Sequence, residues 1–144
     1  MSNRTSRGSA EHYSWGESSD GWRLVDRSDL SVIEERVPAG GSEEWHVHST
    51  ARQFFYVLDG VAVMRTADGD ISLSSHTGIE IEPGLAHQFT LDRAKSVSSS
   101  SARPAPAVTA LRFSLHPEHL TPPRSADVQL HIARRCGTAA TLQR

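Results

Sequence analysis

The 144-residue chain lacks several features that would have pointed to particular classes of protein. Its one cysteine, Cys136, cannot form an internal disulfide, a usage that suits a reducing compartment. No apolar run of signal-peptide length opens the sequence, and none later approaches a membrane span, so a cytoplasmic, membrane-free protein is expected. The 15 basic residues are offset by 17 acidic ones, leaving a net charge of -2 and no basic field to attract nucleic acid or anionic lipid. Nothing ahead of the strand-rich region could form a helix-turn-helix, which disfavours a sensor acting on DNA through its own domain. A persuasive helical period is missing throughout.

What is present is a series of short alternating segments, WRLVDR, LSVIEERV, QFFYVLDG, VAVMRT, ISLS, GIEIEP and VTALRFSL, broken by Gly, Asp and Pro turns. This pattern predicts an all-β sandwich or barrel, and the length suits one domain with one core. Residues 1–28 read as a partly disordered N-terminal arm in which Trp15 and Trp22 serve packing. Residues 29–115 read as the barrel, with a flexible Ser-, Ala- and Pro-rich loop at 93–107, and residues 116–144 as a tail without an assignable role. Asp59-Gly60 and ADGD are hairpin signals. In GIEIEP, Ile79 and Ile81 face inward and Glu80 and Glu82 face solvent.

The chemistry concentrates in GGSEEWHVHSTARQFFYVLDG, from Gly40 to Gly60. In an extended strand, residues two apart share a face, so His46 and His48 converge. After a gap long enough to reverse the chain comes Gln53, and His87 follows a Pro83-Gly84 turn. Three imidazoles and one amide oxygen facing a common point are a metal site in outline. His76 is a speculative proton shuttle, and His116 and His119 read as ordinary loop histidines. On the strand after the gap, Gln53, Phe55 and Val57 face inward, leaving Phe54, Tyr56 and Leu58 as a second apolar face. That face needs a cover, either the N-terminal arm or another subunit.

These residues resemble the cupin superfamily, in particular small single-domain bacterial cupins of the type-2 kind. Gly40, His46, His48, Gln53 and Gly60 occupy the places of the first cupin motif, with glutamine where the family has glutamate. Pro83, Gly84 and His87 match the second motif. His76-Thr77 stands where a Gly-Asp or Gly-Glu turn is usual, and Leu91 where asparagine is frequent. The likeness covers roughly residues 11 to 115. It implies a double-stranded β-helix, or jelly-roll barrel, holding one divalent metal ion (Fe, Zn, Ni or Mn) on His46, His48, Gln53 and His87, with Gln53 either a ligand or standing behind the others. It also implies a homodimer and a small-molecule ligand or substrate. The expected activity is metal-dependent chemistry of the dioxygenase, cyclase or isomerase type on a small oxygen-rich or aromatic substrate. The alternative is a non-catalytic, metal-dependent ligand binder.

Overall fold

The computed structural model describes residues 2–91 and 107–116. Nearly all of the expected loop at 93–107 and of the tail at 116–144, His119 included, lies outside the described residues. Nine strands follow in order: β1 (Glu11–Trp15), β2 (Ser19–Asp26), β3 (Leu30–Val37), β4 (Arg52–Asp59), β5 (Val61–Thr66), β6 (Gly69–Ser74), β7 (Gly78–Ile81), β8 (His87–Thr90) and β9 (Val108–Leu115). They form a six-stranded sheet in the order β1-β2-β3-β9-β4-β7 and a three-stranded sheet in the order β6-β5-β8, with every pairing antiparallel. The expected all-β jelly-roll is the observed architecture.

Alternation along each strand, combined with register across strands, fixes what faces the interior. One inner row of the large sheet runs Tyr13, Gly21, Glu35, Ala110, Val57. The next runs Arg23, Ile33, Arg112, Phe55, Ile79, and a third runs Ser31, Ser114, Gln53, Ile81. The interior is therefore graded. Its apolar part gathers Val37, Phe55, Val57, Met64, Leu73, Phe89 and Val108, with the Phe55 and Phe89 rings stacked at 5.6 Å between the two sheets. Elsewhere on the same inner faces the side chains are polar and still buried. Truncating a ring such as Phe55 to alanine would cost about 3–5 kcal/mol by the usual cavity penalty.

Two sequence expectations are corrected here. Besides the expected WRLVDR strand, residues 11–15 and 19–21 of the supposed arm are strand too, and together they extend the large sheet beyond β3, because the inward residues Tyr13, Gly21 and Arg23 continue the barrel's rows. Ahead of them, Arg7 sits 4.3 Å over the Trp22 ring and pairs with Glu34, tying the start of the chain to the outer face. The arm therefore leaves Phe54 41% exposed on the outer face of β4. Asp59-Gly60 does not close a hairpin. Gly60 has the positive φ of 94° that the dipeptide favours, but β4 lies in one sheet and β5 in the other, so the turn is a corner between sheets. The ADGD hairpin between β5 and β6 forms as expected.

His76, in the place of the family's usual glycine, takes a left-handed φ of 63°, which explains why glycine suits that turn. At Gly21 the constraint is space: an added Cβ would lie 2.4 Å from Cζ of Tyr13, so the ring rests on bare backbone. Gly21→Ala should therefore push Tyr13 out of its seat and lower stability by about 1–3 kcal/mol in urea or guanidinium titrations. An unchanged midpoint would show that the ring is not held there.

Candidate metal centre

The site depends on a segment that is extended but is not one of the nine strands. Between Gly40 and His48 the chain runs antiparallel to β8, with isolated bridges pairing Ser42 with Thr90 and His46 with His87. His46 and His87 exchange both backbone hydrogen bonds, at 3.0 and 2.9 Å, so their side chains leave the same face directly opposite one another. Gly84, in the turn before β8, donates to the His48 carbonyl at 2.7 Å and holds the far end of the segment. As a result, ligand atoms of His46, His48 and His87 all lie within 4.8 Å of one another.

Hydrogen bonding sets which nitrogen each ring presents. Nδ1 of His46 lies 2.7 Å from the Glu44 carbonyl and Nδ1 of His87 lies 2.9 Å from the Leu85 carbonyl. A carbonyl only accepts, so both Nδ1 atoms carry the proton and both Nε2 atoms offer a lone pair. His48 Nε2 is buried and has no hydrogen-bond partner among the described residues. Gln53 Oε1 lies 2.9 Å from His87 Nε2, while Gln53 Nε2 donates to Ser114 Oγ at 3.2 Å. In the orientation the amide takes here, two acceptors face each other. A second proton on His87 would relieve the conflict, but burial lowers its pKa. A cation bound between these atoms would satisfy the acceptor pair and the stranded His48 nitrogen alike. The four residues singled out in the sequence are thus brought together, and they fit a divalent metal ion. By contrast, His76 is exposed beside Tyr56, on the outward side of β4.

Burial is the main cause keeping the imidazoles neutral, as metal ligation requires. It lowers the pKa of His46 and His87 and brings that of His48 down to about 3. Around the rings lies a set of charges not recognised in the sequence. Arg112, buried, donates from one nitrogen to Glu43 at 2.7 Å and from another to Glu35 at 2.8 Å. Burial alone would lower the Arg112 pKa, but the two carboxylates outweigh it and hold the guanidinium above its ordinary value. Burial would likewise raise Glu43, yet Arg112 and the neighbouring histidines hold it below the usual carboxylate range. Glu35 is pushed by burial up to about 7 despite Arg112. Tyr13 itself is raised by burial to about 12. A small pocket beside His48 is walled by Tyr13, Arg23, Ile33, Arg112, Ser114 and His116. His116, read as an ordinary loop histidine, is half-buried there, and its N–H donates to the Asp29 carbonyl at 2.9 Å.

The site thus lies in an antiparallel two-sheet barrel where histidines from two inner segments meet. The cupin domain family model matches residues 33–98, and the chain carries a cupin domain of the type-2 kind. No curated protein matches it significantly in sequence. Among solved structures it is similar to KdgF from Halomonas sp., at 13% identity and a TM-score of 0.63 over 82% of this chain and 97% of that one. It is also similar to a cupin-superfamily sugar phosphate isomerase from Silicibacter pomeroyi, at 18% identity and 0.62 over 79% and 76%. An RmlC-like cupin from Shewanella frigidimarina gives 18% and 0.61 over 81% and 95%. At these identities the likeness carries the fold. Among the described residues no helix is long and apolar enough to cross a membrane.

The lowered histidine pKa values have a consequence for the metal-free protein. A group whose folded pKa lies below its unfolded value stabilises the fold above the unfolded pKa and loses that contribution as pH falls. For His48 the window runs from about 6.5 down to about 3. Glu35 works in the opposite sense, since a raised carboxyl pKa adds stability as pH falls through 7. The measurement is therefore a difference between variants. Between pH 7 and pH 5, metal-free wild type should lose about 2 kcal/mol more stability than His48→Gln; parallel pH profiles would contradict the burial of a neutral ring.

Proposed function

We propose that this protein is a metal-dependent cupin acting on a small oxygen-rich or aromatic molecule. In this reading His46, His48 and His87 hold one divalent ion, with Gln53 beside it as a neutral oxygen donor. The observation that carries it is the meeting of ring nitrogens of His46, His48 and His87 within 4.8 Å of one another, beside a buried His48 Nε2 that has no hydrogen-bond partner among the described residues. A bound metal would supply Lewis acidity toward a substrate oxygen, undiminished by ligand charge because Gln53 replaces the family's glutamate. Iron, zinc, nickel and manganese all suit such a donor set.

The rest of the site is supplied by the chain itself. The Glu44 and Leu85 carbonyls orient the His46 and His87 rings, and the buried walls keep bulk water away. Tyr13 brings an exchangeable proton to the pocket wall, which supports an enzyme of the isomerase, cyclase or dioxygenase type. One structural neighbour is a sugar phosphate isomerase, which is in keeping with that. A non-catalytic binder is the second reading, supported by the engagement of Arg112 in two internal ion pairs. Elemental analysis of protein purified without added metal should find about one divalent ion per chain, and His48→Ala should lower metal affinity at least about tenfold. Unchanged metal content in that variant would remove the ligand assignment. With the ion identified, turnover of candidate substrates separates enzyme from binder, since a binder gives only ligand-dependent stabilisation.

The same reading places the protein in the cytoplasm as a homodimer. The dimer contact is assigned to the outer face of β4 and β9, where the exposed Phe54 lies beside the half-buried Phe113 and Tyr56. Light scattering at micromolar concentration should give a dimer mass for wild type and a monomer mass for Phe54→Glu. A wild-type monomer would exclude the assembly.

A further inference from the structure

The pocket beside the histidines contains a positive group that its surroundings leave without a good partner. Arg23 is 8% exposed and lines the pocket with Tyr13, His48 and Gln53. Its Nε is buried and makes no hydrogen bond among the described residues. The Glu11 carboxylate across the β1–β2 pair comes no closer than 3.7 Å and is itself largely exposed. The guanidinium lies 4.6 Å over the face of the Tyr13 ring, which attracts the charge but cannot accept a hydrogen bond in its plane. Arg112, the other arginine of the wall, is already held between Glu35 and Glu43.

We infer that the pocket takes a small organic acid and that Arg23 reads its carboxylate. A buried Nε–H with no hydrogen-bond acceptor costs free energy in the empty site, and a planar carboxylate is the group whose two oxygens match a guanidinium fork. A monoanion suits one such cation; a phosphate dianion would call for more donors than this wall leaves unengaged. The position of Arg23 follows from the fold. It is the inward residue of β2 opposite Ile33, in the row that continues to Arg112 and Phe55. A carboxylate there would share the pocket with His48, so the ligand's remaining atoms would lie toward the imidazoles. This inference rests on the metal-dependent reading above and narrows its substrate to an acid.

The test uses the full chain loaded with zinc, its metal content verified first. Calorimetric titration with acetate, glycolate, benzoate and 2-hydroxybenzoate, each paired with its neutral amide, and with inorganic phosphate, compares the head groups directly. At least one acid should bind about tenfold more tightly than its amide. Arg23→Gln should abolish that preference and Arg23→Lys should reduce it, because lysine keeps the charge and loses the fork. Both variants should retain wild-type zinc. The proposal is overturned if no acid binds at millimolar concentration, if acids and amides bind alike, if phosphate outbinds every acid, or if Arg23→Gln keeps the preference. If wild type fails to hold zinc at all, the metal reading fails, and acid binding by the metal-free chain still decides the role of Arg23.

Discussion

The backbone pairing of residues 40–48 with β8 is the constraint on which the centre depends. Two reciprocal hydrogen bonds set His46 opposite His87, and the alternation of an extended chain then brings His48 to the same side. A slip of one residue in that pairing would turn His46 to the other face and dismantle the cluster. The flanking glycine turns matter because they hold this register. Gly40 donates to Leu91 at one end and Gly84 to His48 at the other, so both ends of the segment are tied to the β8 region.

The polarity of the barrel interior follows from the same geometry. Packing of Phe55, Phe89, Met64 and Val57 between the sheets supplies a core, and the remaining inward positions carry groups that are costly to bury unless paired. Arg112 resolves part of that cost by bridging Glu35 and Glu43, which come from different segments. The bridge locks β3 and β9 to the loop that leads into His46. Such a pair contributes little net stability, but removing one member would strand the others, so it fixes the arrangement of segments around the histidines. Where the family's glutamate would bring a charge into direct reach of a metal, this chain has a neutral amide and keeps its carboxylates on the arginine.

Much of this was legible in the residues. Alternation in LSVIEERV and VTALRFSL marked the strands, and the spacing of His46, His48, Gln53 and His87 marked the groups that meet. The same alternation also put Glu35 and Arg112 on inward faces, a signal that passed unused because an inward charge is interpretable only with its partner. That partner depends on β3 lying beside β9, a long-range pairing that no local pattern encodes. Asp59-Gly60 shows the same limit. Its φ preference was correctly read, but which strand receives the chain after the turn is decided by sheet assembly. Arg23 lies in WRLVDR, whose alternation marks a strand, but only its pairing beside β3 shows that the residue faces the site, and Tyr13 reaches the interior through the hairpin that pairs β1 with β2.

The central claim is that three imidazoles, from two segments distant in sequence, meet at one divalent cation. X-ray absorption spectroscopy on the zinc-loaded protein tests it most directly. The account predicts a nitrogen- and oxygen-containing shell near about 2.0–2.1 Å with the multiple-scattering signature of three imidazoles. A shell of oxygen alone, or one imidazole with the rest from solvent, would contradict it.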